Sequence, residues 1–274
     1  MFRARRDRSG FLASASTMWL LIYHSIVRSV RRNHANAFLA IGMNILQTII
    51  FVMAFYVMFI VLGLRGAALR GDFLLYIMSG IFLFMSHIKA LGAVVGSEGP
   101  ASPMMQHAPM NTIIAIVSAA LGSLYVQVLS MVVIIYVYHV AFTPVTIEEP
   151  AAAFGMFLLA WFTGAALGLV LLALKPWFPQ FVTIFTSIYQ RANMIASGKM
   201  FVANTLPSFM LAMFDWNPLF HAIDQARGFI FINYVPRYTE WTYAMWVGIV
   251  LVMIGLMGEF YTRRHASLSW SARR

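Results

Sequence analysis

Six apolar runs, each about as long as a bilayer is thick, constrain this chain more than anything else in it. A helix needs about 20 apolar residues to cross a hydrocarbon core of about 30 Å. Residues 37–63, 73–96, 113–140, 151–174, 181–202 and 241–261 meet that length. In lipid the backbone must satisfy its own polar groups, so such runs fold as helices. Of the 274 residues, 61% are hydrophobic and only 10% charged, whereas a soluble domain carries about 25% charge. The expected fold is an all-α membrane protein, one domain with six transmembrane helices.

Several spans carry polar residues. Asn44 and Gln47 lie in the first, His87 and Lys89 in the second half of the second. The fourth holds Gly164-Ala165-Ala166-Leu167-Gly168, a spacing of small residues that lets another helix approach closely. The fifth holds Arg191, within Tyr189-Gln190-Arg191-Ala192-Asn193, and Lys199. A charge inside a span is costly and marks a functional candidate by default. For Arg191 two roles stand side by side: function, or a structural pair with a neighbouring helix. Lys199 and Lys89 sit nearer span ends, where a long stem carries the amine to the interface.

Before the spans, residues 11–33 place Leu12, Ala15, Trp19, Ile22, Tyr23, Ile26 and Val30 on one stripe and basic residues mostly away from it. This is the pattern of an N-terminal interfacial helix lying on anionic headgroups. Lys and Arg in short loops set orientation. With the N-terminus inside, twelve fall on inner segments and four on outer ones, so both termini are expected in the cytoplasm. The net charge of +10 is then topology and headgroup attraction, with no nucleic acid implied.

One stretch, Met200 to Trp241, is too polar and too broken to cross, yet lies between two spans. Asn217 suits an N-cap, Pro218 the first helical position and Gly228 a stop, so a short helix is expected from Pro218 to about Arg227. On it His221, Asp224, Gln225 and Gly228 share one polar face at i, i+3, i+4, i+7. Pro207, Pro218 and Pro236 punctuate the region. The expectation is a pair of short helices over 203–236, one before and one after Asn217, re-entering the membrane from its outer side. Tyr234, Tyr238, Trp241, Tyr243 and Trp246 read as an interfacial aromatic belt.

Soluble-enzyme chemistry finds no support in the residues. Cysteine is absent, so there is no thiolate metal site. Ser197-Gly198-Lys199-Met200 lacks the first glycine and the final Ser or Thr of a phosphate-binding loop. No His-Glu-x-x-His or Gly-x-Ser-x-Gly occurs, and Glu148-Glu149 sit together on a loop.

Three pieces carry a family resemblance: Tyr189-Gln190-Arg191-Ala192-Asn193-Met194-Ile195-Ala196-Ser197-Gly198, then Leu206-Pro207, then Trp216-Asn217-Pro218-Leu219-Phe220-His221-Ala222-Ile223-Asp224-Gln225-Ala226-Arg227. Together they resemble the fifth span and outer re-entrant region of ABC-2 type permeases, most of all the branch that exports capsular and other cell-surface polysaccharides. The family usually has Glu where Asp224 stands.

The resemblance implies a bacterial inner-membrane protein. It implies a homodimer of this chain bound to two copies of a separate ATPase subunit, with a path between the permeases for a lipid-linked polysaccharide. Periplasmic and outer-membrane export proteins would be further partners. ATP would bind the partner, leaving this chain without a cofactor or an ATPase site of its own. Arg191, Asn217, Pro218, His221, Asp224 and Arg227 become candidates for the path or its outer gate, Asp224 and Arg227 as a pair holding the gate's shape. Residues 97–111 become the cytoplasmic coupling segment, with Glu98, Pro103, Met104 and His107 as docking candidates. Two alternatives remain open from sequence: export of a drug, small lipid or peptide on the same fold, and an intramembrane glycosyl- or acyl-transferase built on His221 and Asp224.

Overall fold

The computed structural model describes residues 37–63, 71–97 and 112–265. The expected interfacial helix over 11–33 and the docking candidates Glu98, Pro103, Met104 and His107 lie outside the described residues. Five helices are long and apolar enough to cross a membrane. They are α1 (Ala37–Val61), α2 (Phe73–Val95), α3 (Thr112–Ala141), α4 (Pro150–Leu174) and α8 (Trp241–His265). Between α4 and α8 come α5 (Pro179–Ala196), a 3-10 turn (Ala203–Thr205), α6 (Ser208–Phe214) and α7 (Pro218–Ile230).

Helix starts follow local chemistry. Pro150, Pro179 and Pro218 each open a helix, where the missing N–H costs nothing. Asp72 caps α2, its Oδ1 accepting from the N–H groups of Leu74 (2.9 Å) and Leu75 (3.3 Å). The same carboxylate accepts from the Thr143 and Tyr138 hydroxyls just beyond and near the end of α3. One residue therefore ties the start of α2 to the end of α3.

The core is built on α2 and α4. The apolar stretch of α2 is 83% buried, against 22% for those of α1, α3 and α8, so α2 is enclosed while those three show a broad apolar face to their surroundings. The glycine pair in α4 explains the close seating of α2 on it. A Cβ on Gly164 would fall 2.2 Å from the His87 carbonyl oxygen, and one on Gly168 would fall 2.9 Å from Val94 Cβ. On its other side α4 receives α8, where Gly248 admits the Phe162 ring and Gly255 the Leu169 side chain. A buried polar cluster joins α1 to α3: Asn44 donates to Ser130 (2.8 Å), and Gln127 donates to Asn44 (3.0 Å).

The expected fifth span over 181–202 needs correction. Helix α5 stops at Ala196, and its cap residue is Ser197. Gly198 then takes φ +74°, a left-handed conformation that glycine adopts without strain. Only Val182 and Asn193 of α5 are buried, so it lies on the bundle by one narrow stripe. His87 supplies the polar attachment. With its Nδ1 donating to the Ala160 carbonyl (3.0 Å), its Nε2 accepts from the Tyr189 hydroxyl (2.9 Å).

Candidate functional site

The segment from Ser197 to Glu240 wraps around α7, and α7 itself packs on α2, α4 and α8. Its start matches the sequence expectation. Asn217 is the N-cap, its side chain accepting from the Leu219 N–H (3.1 Å), and Pro218 is the first helical residue. The Asn217 amide also donates to Asn193 Oδ1 (2.8 Å) and the Ala196 carbonyl (3.0 Å), which pins α7 to the last turn of α5.

The end of the helix differs from expectation. Gly228 does not stop it; α7 runs on to Ile230. Glycine is needed there for proximity instead, because a Cβ would lie 2.6 Å from Pro236 Cδ.

The polar face exists, but it is covered by the chain's own return. Residues 234–240 lie across it. Gln225 donates to the Thr239 carbonyl (2.5 Å). His221 Nε2 donates to the Asp215 carbonyl (2.7 Å) and lies 3.3 Å from the Asp215 carboxylate, while Nδ1 accepts from the Glu240 N–H (3.0 Å). Asp224 is 1% exposed and has three donors: the Ala203 N–H (3.0 Å), the Tyr234 hydroxyl (2.6 Å) and the Thr239 hydroxyl (2.8 Å). Burial, and then the Asp224 charge, push the Tyr234 phenol up and keep it a donor. Tyr234 is therefore an internal ligand of Asp224, only 6% exposed, and not part of an interfacial belt.

Arg227, one turn further along α7, takes different partners. Fully buried, it donates from Nη1 to the carbonyls of Gly198 (2.7 Å) and Phe201 (2.5 Å), and from Nη2 to that of Lys199 (2.6 Å). Its guanidinium stands 4.2 Å from the centroid of Tyr76, close enough for a cation–π contact. The expected Asp224–Arg227 pair is thus replaced by two separate sets of partners. Arg227 gathers carbonyls of the turn that follows α5, and Asp224 fastens the next residues and the return.

The sequence reading missed the seat of this clasp. Gly80 of α2 faces the 198–201 turn, and a Cβ there would fall 2.9 Å from Lys199 Cα and from Arg227 Nη2. One turn to either side on α2 lie the rings under the two buried cations. Tyr76 lies beneath Arg227, and Phe84 lies 3.7 Å from Lys199 Nζ, with Phe55 at 4.8 Å. A small residue at the centre of an apolar run was the available signal. The Ser197–Met200 turn also directs its carbonyls at Arg227, so it presents acceptors, the opposite of a phosphate cradle.

Arg191 stands apart from this assembly, exposed on α5. Thr183, Ser187 and Arg191 follow at i, i+4, i+8 on one exposed line. The first two return their hydroxyls to carbonyls of their own helix, and Arg191 is the exposed cation of that line. No protein-family model and no curated protein matches this chain. Among the described residues no group of three His, Cys, Asp or Glu side chains is placed to hold a metal.

Proposed function

We propose that the chain is the permease subunit of an ABC exporter. It moves a lipid-linked capsular or other cell-surface polysaccharide across the inner membrane, driven by ATP hydrolysis on a separate subunit. The observation that carries this reading is Arg191. It is exposed on the side of α5 away from the bundle, about 18 Å along the helix from Pro179. With α5 as the fifth span in chain order, lipid is a poor neighbour for the exposed guanidinium, which lies five residues, about 7.5 Å, before the helix end at Ala196. A water-filled path bordered by Thr183, Ser187 and Arg191 is a better one, and a second copy of the chain supplies the far wall. The clasped pair α6 and α7 then forms the re-entrant outer end of the path. The coarse attachment of α5 suits a wall that moves, while Arg227 and Asp224 keep its outer end fixed.

The absence of cysteine gives this reading a clean test. Thr183→Cys and Ser187→Cys in membranes should react with a charged, membrane-impermeant thiol reagent, and Ile184→Cys and Ile188→Cys should not. Equal inertness at all four positions would remove the path from α5.

A further inference from the structure

Helix α6 is apolar on every side. Ser208 opens it, and the rest reads Phe209-Met210-Leu211-Ala212-Met213-Phe214. One side is covered by the chain's own core: the Phe214 ring meets those of Phe201 and Phe220, with centroids 5.3 and 6.3 Å apart. The other side is open. Phe209 and Met213 stand at i and i+4, one above the other. Trp216, just past the helix end, turns its indole N–H back to the Met213 carbonyl (2.7 Å). These three side chains are 60–68% exposed. A water-facing helix carries a polar face there, so this row calls for an apolar cover.

Helix α8 indicates what covers it. The Tyr243 hydroxyl donates to the Trp216 carbonyl (2.9 Å), so Trp216 stands level with the first turn of α8, which begins at Trp241. Tyr243 heads an exposed line on α8 that continues through Trp246, Val250 and Met253, at i, i+3, i+7 and i+10. A helix long and apolar enough to cross a membrane turns such a line to acyl chains. The row on α6 therefore adjoins the head of a lipid-facing line, at the depth where aromatic belts lie. Its polar atoms suit that depth. The indole N–H is already paired, so the ring leaves no donor unmet among acyl chains, and the Asp215 carboxylate beside it is 57% exposed.

We propose that α6 is an interfacial anchor, with Phe209, Met213 and Trp216 seated among the upper acyl chains of phospholipid at the boundary where α8 begins. The anchor sets the depth of the clasped segment. It needs only that α8 spans a membrane, and it is independent of what the chain exports.

The test places single cysteines in the full chain, which has none of its own, labels them with bimane and reconstitutes the protein in phosphatidylcholine vesicles. Phe209→Cys and Met213→Cys should lose most fluorescence to a lipid with its nitroxide near the headgroup, less to one with the nitroxide near the chain end, and least to aqueous iodide. Two positions calibrate the depth. Val250→Cys, about 14 Å into α8, should favour the deep nitroxide, and Arg237→Cys, exposed in the return, should respond chiefly to iodide. Strongest quenching by iodide at 209 and 213 overturns the proposal in favour of a water-facing row. Insensitivity to all three quenchers overturns it in favour of a contact between copies, and strongest quenching by the deep nitroxide overturns the interfacial depth. Where Phe209→Cys fails to fold, Met213→Cys and Trp216→Cys decide by the same readings.

Discussion

Replacing Arg227 by lysine keeps the charge and removes the fork. The guanidinium reaches three carbonyls at 2.5–2.7 Å from two nitrogens, a planar arrangement that a single ammonium cannot copy. A hydrogen bond to a charged group contributes about 1.5–3 kcal/mol net. If lysine keeps one of the three bonds, the loss is about 3 kcal/mol or more. In a chain of this size that corresponds to a melting temperature lower by roughly 6–12 °C. The cysteine-free sequence rules out thiol dyes, so unfolding is best followed by intrinsic tryptophan fluorescence of the detergent-solubilised protein. Hydrogen exchange locates the effect: residues 197–206 should lose protection while α4 keeps it. A shift below about 2 °C with residues 197–206 still protected would refute the assignment of Arg227 as the clasp of this turn.

Gly80→Ala places a methyl 2.9 Å from the Lys199 backbone, an overpacking expected to cost about 1–3 kcal/mol; the same exchange experiment should show it at 197–206. Tyr189→Phe leaves His87 Nε2 buried without its donor at a cost of about 1–3 kcal/mol, so limited proteolysis should cut within α5 faster than in wild type. Burial alone would raise the Asp72 carboxyl, but bonds from Tyr138, Thr143, Leu75 and Leu74 outweigh it and hold the group below its usual range. A depressed carboxylate contributes stability above its unfolded value of about 3.9, lost as pH falls through the lower folded value. Thermal melts should therefore weaken below about pH 4, and Asp72→Asn should weaken the protein at neutral pH while flattening that dependence.

How much of this was legible in the sequence differs by element. Helices α1 to α4 and α8 were readable as apolar runs, and their ends fall within a few residues of expectation, because burial in lipid leaves little else to decide. Asn217-Pro218 was readable because capping is local. Gly228 was misread for the complementary reason: its role depends on Pro236, which only the fold brings to it. The shortening of α5 and the separation of Asp224 from Arg227 share one cause. Spacing at i, i+3 shows that two side chains lie on one helix, but not that carbonyls at 198–201 and hydroxyls at 234 and 239 arrive first. Gly80, Tyr76 and Phe84 were hidden inside an apolar run, where a residue that seats another segment looks like any other packing residue.

The central claim, that this chain is a transport subunit driven from outside itself, is tested by isolating it from its native membranes in mild detergent under an affinity tag. The account predicts that a nucleotide-hydrolysing subunit co-purifies in equal number and that ATP hydrolysis disappears when it is stripped away. Isolation of the chain alone, with transport across reconstituted vesicles undiminished and no ATPase added, would contradict it.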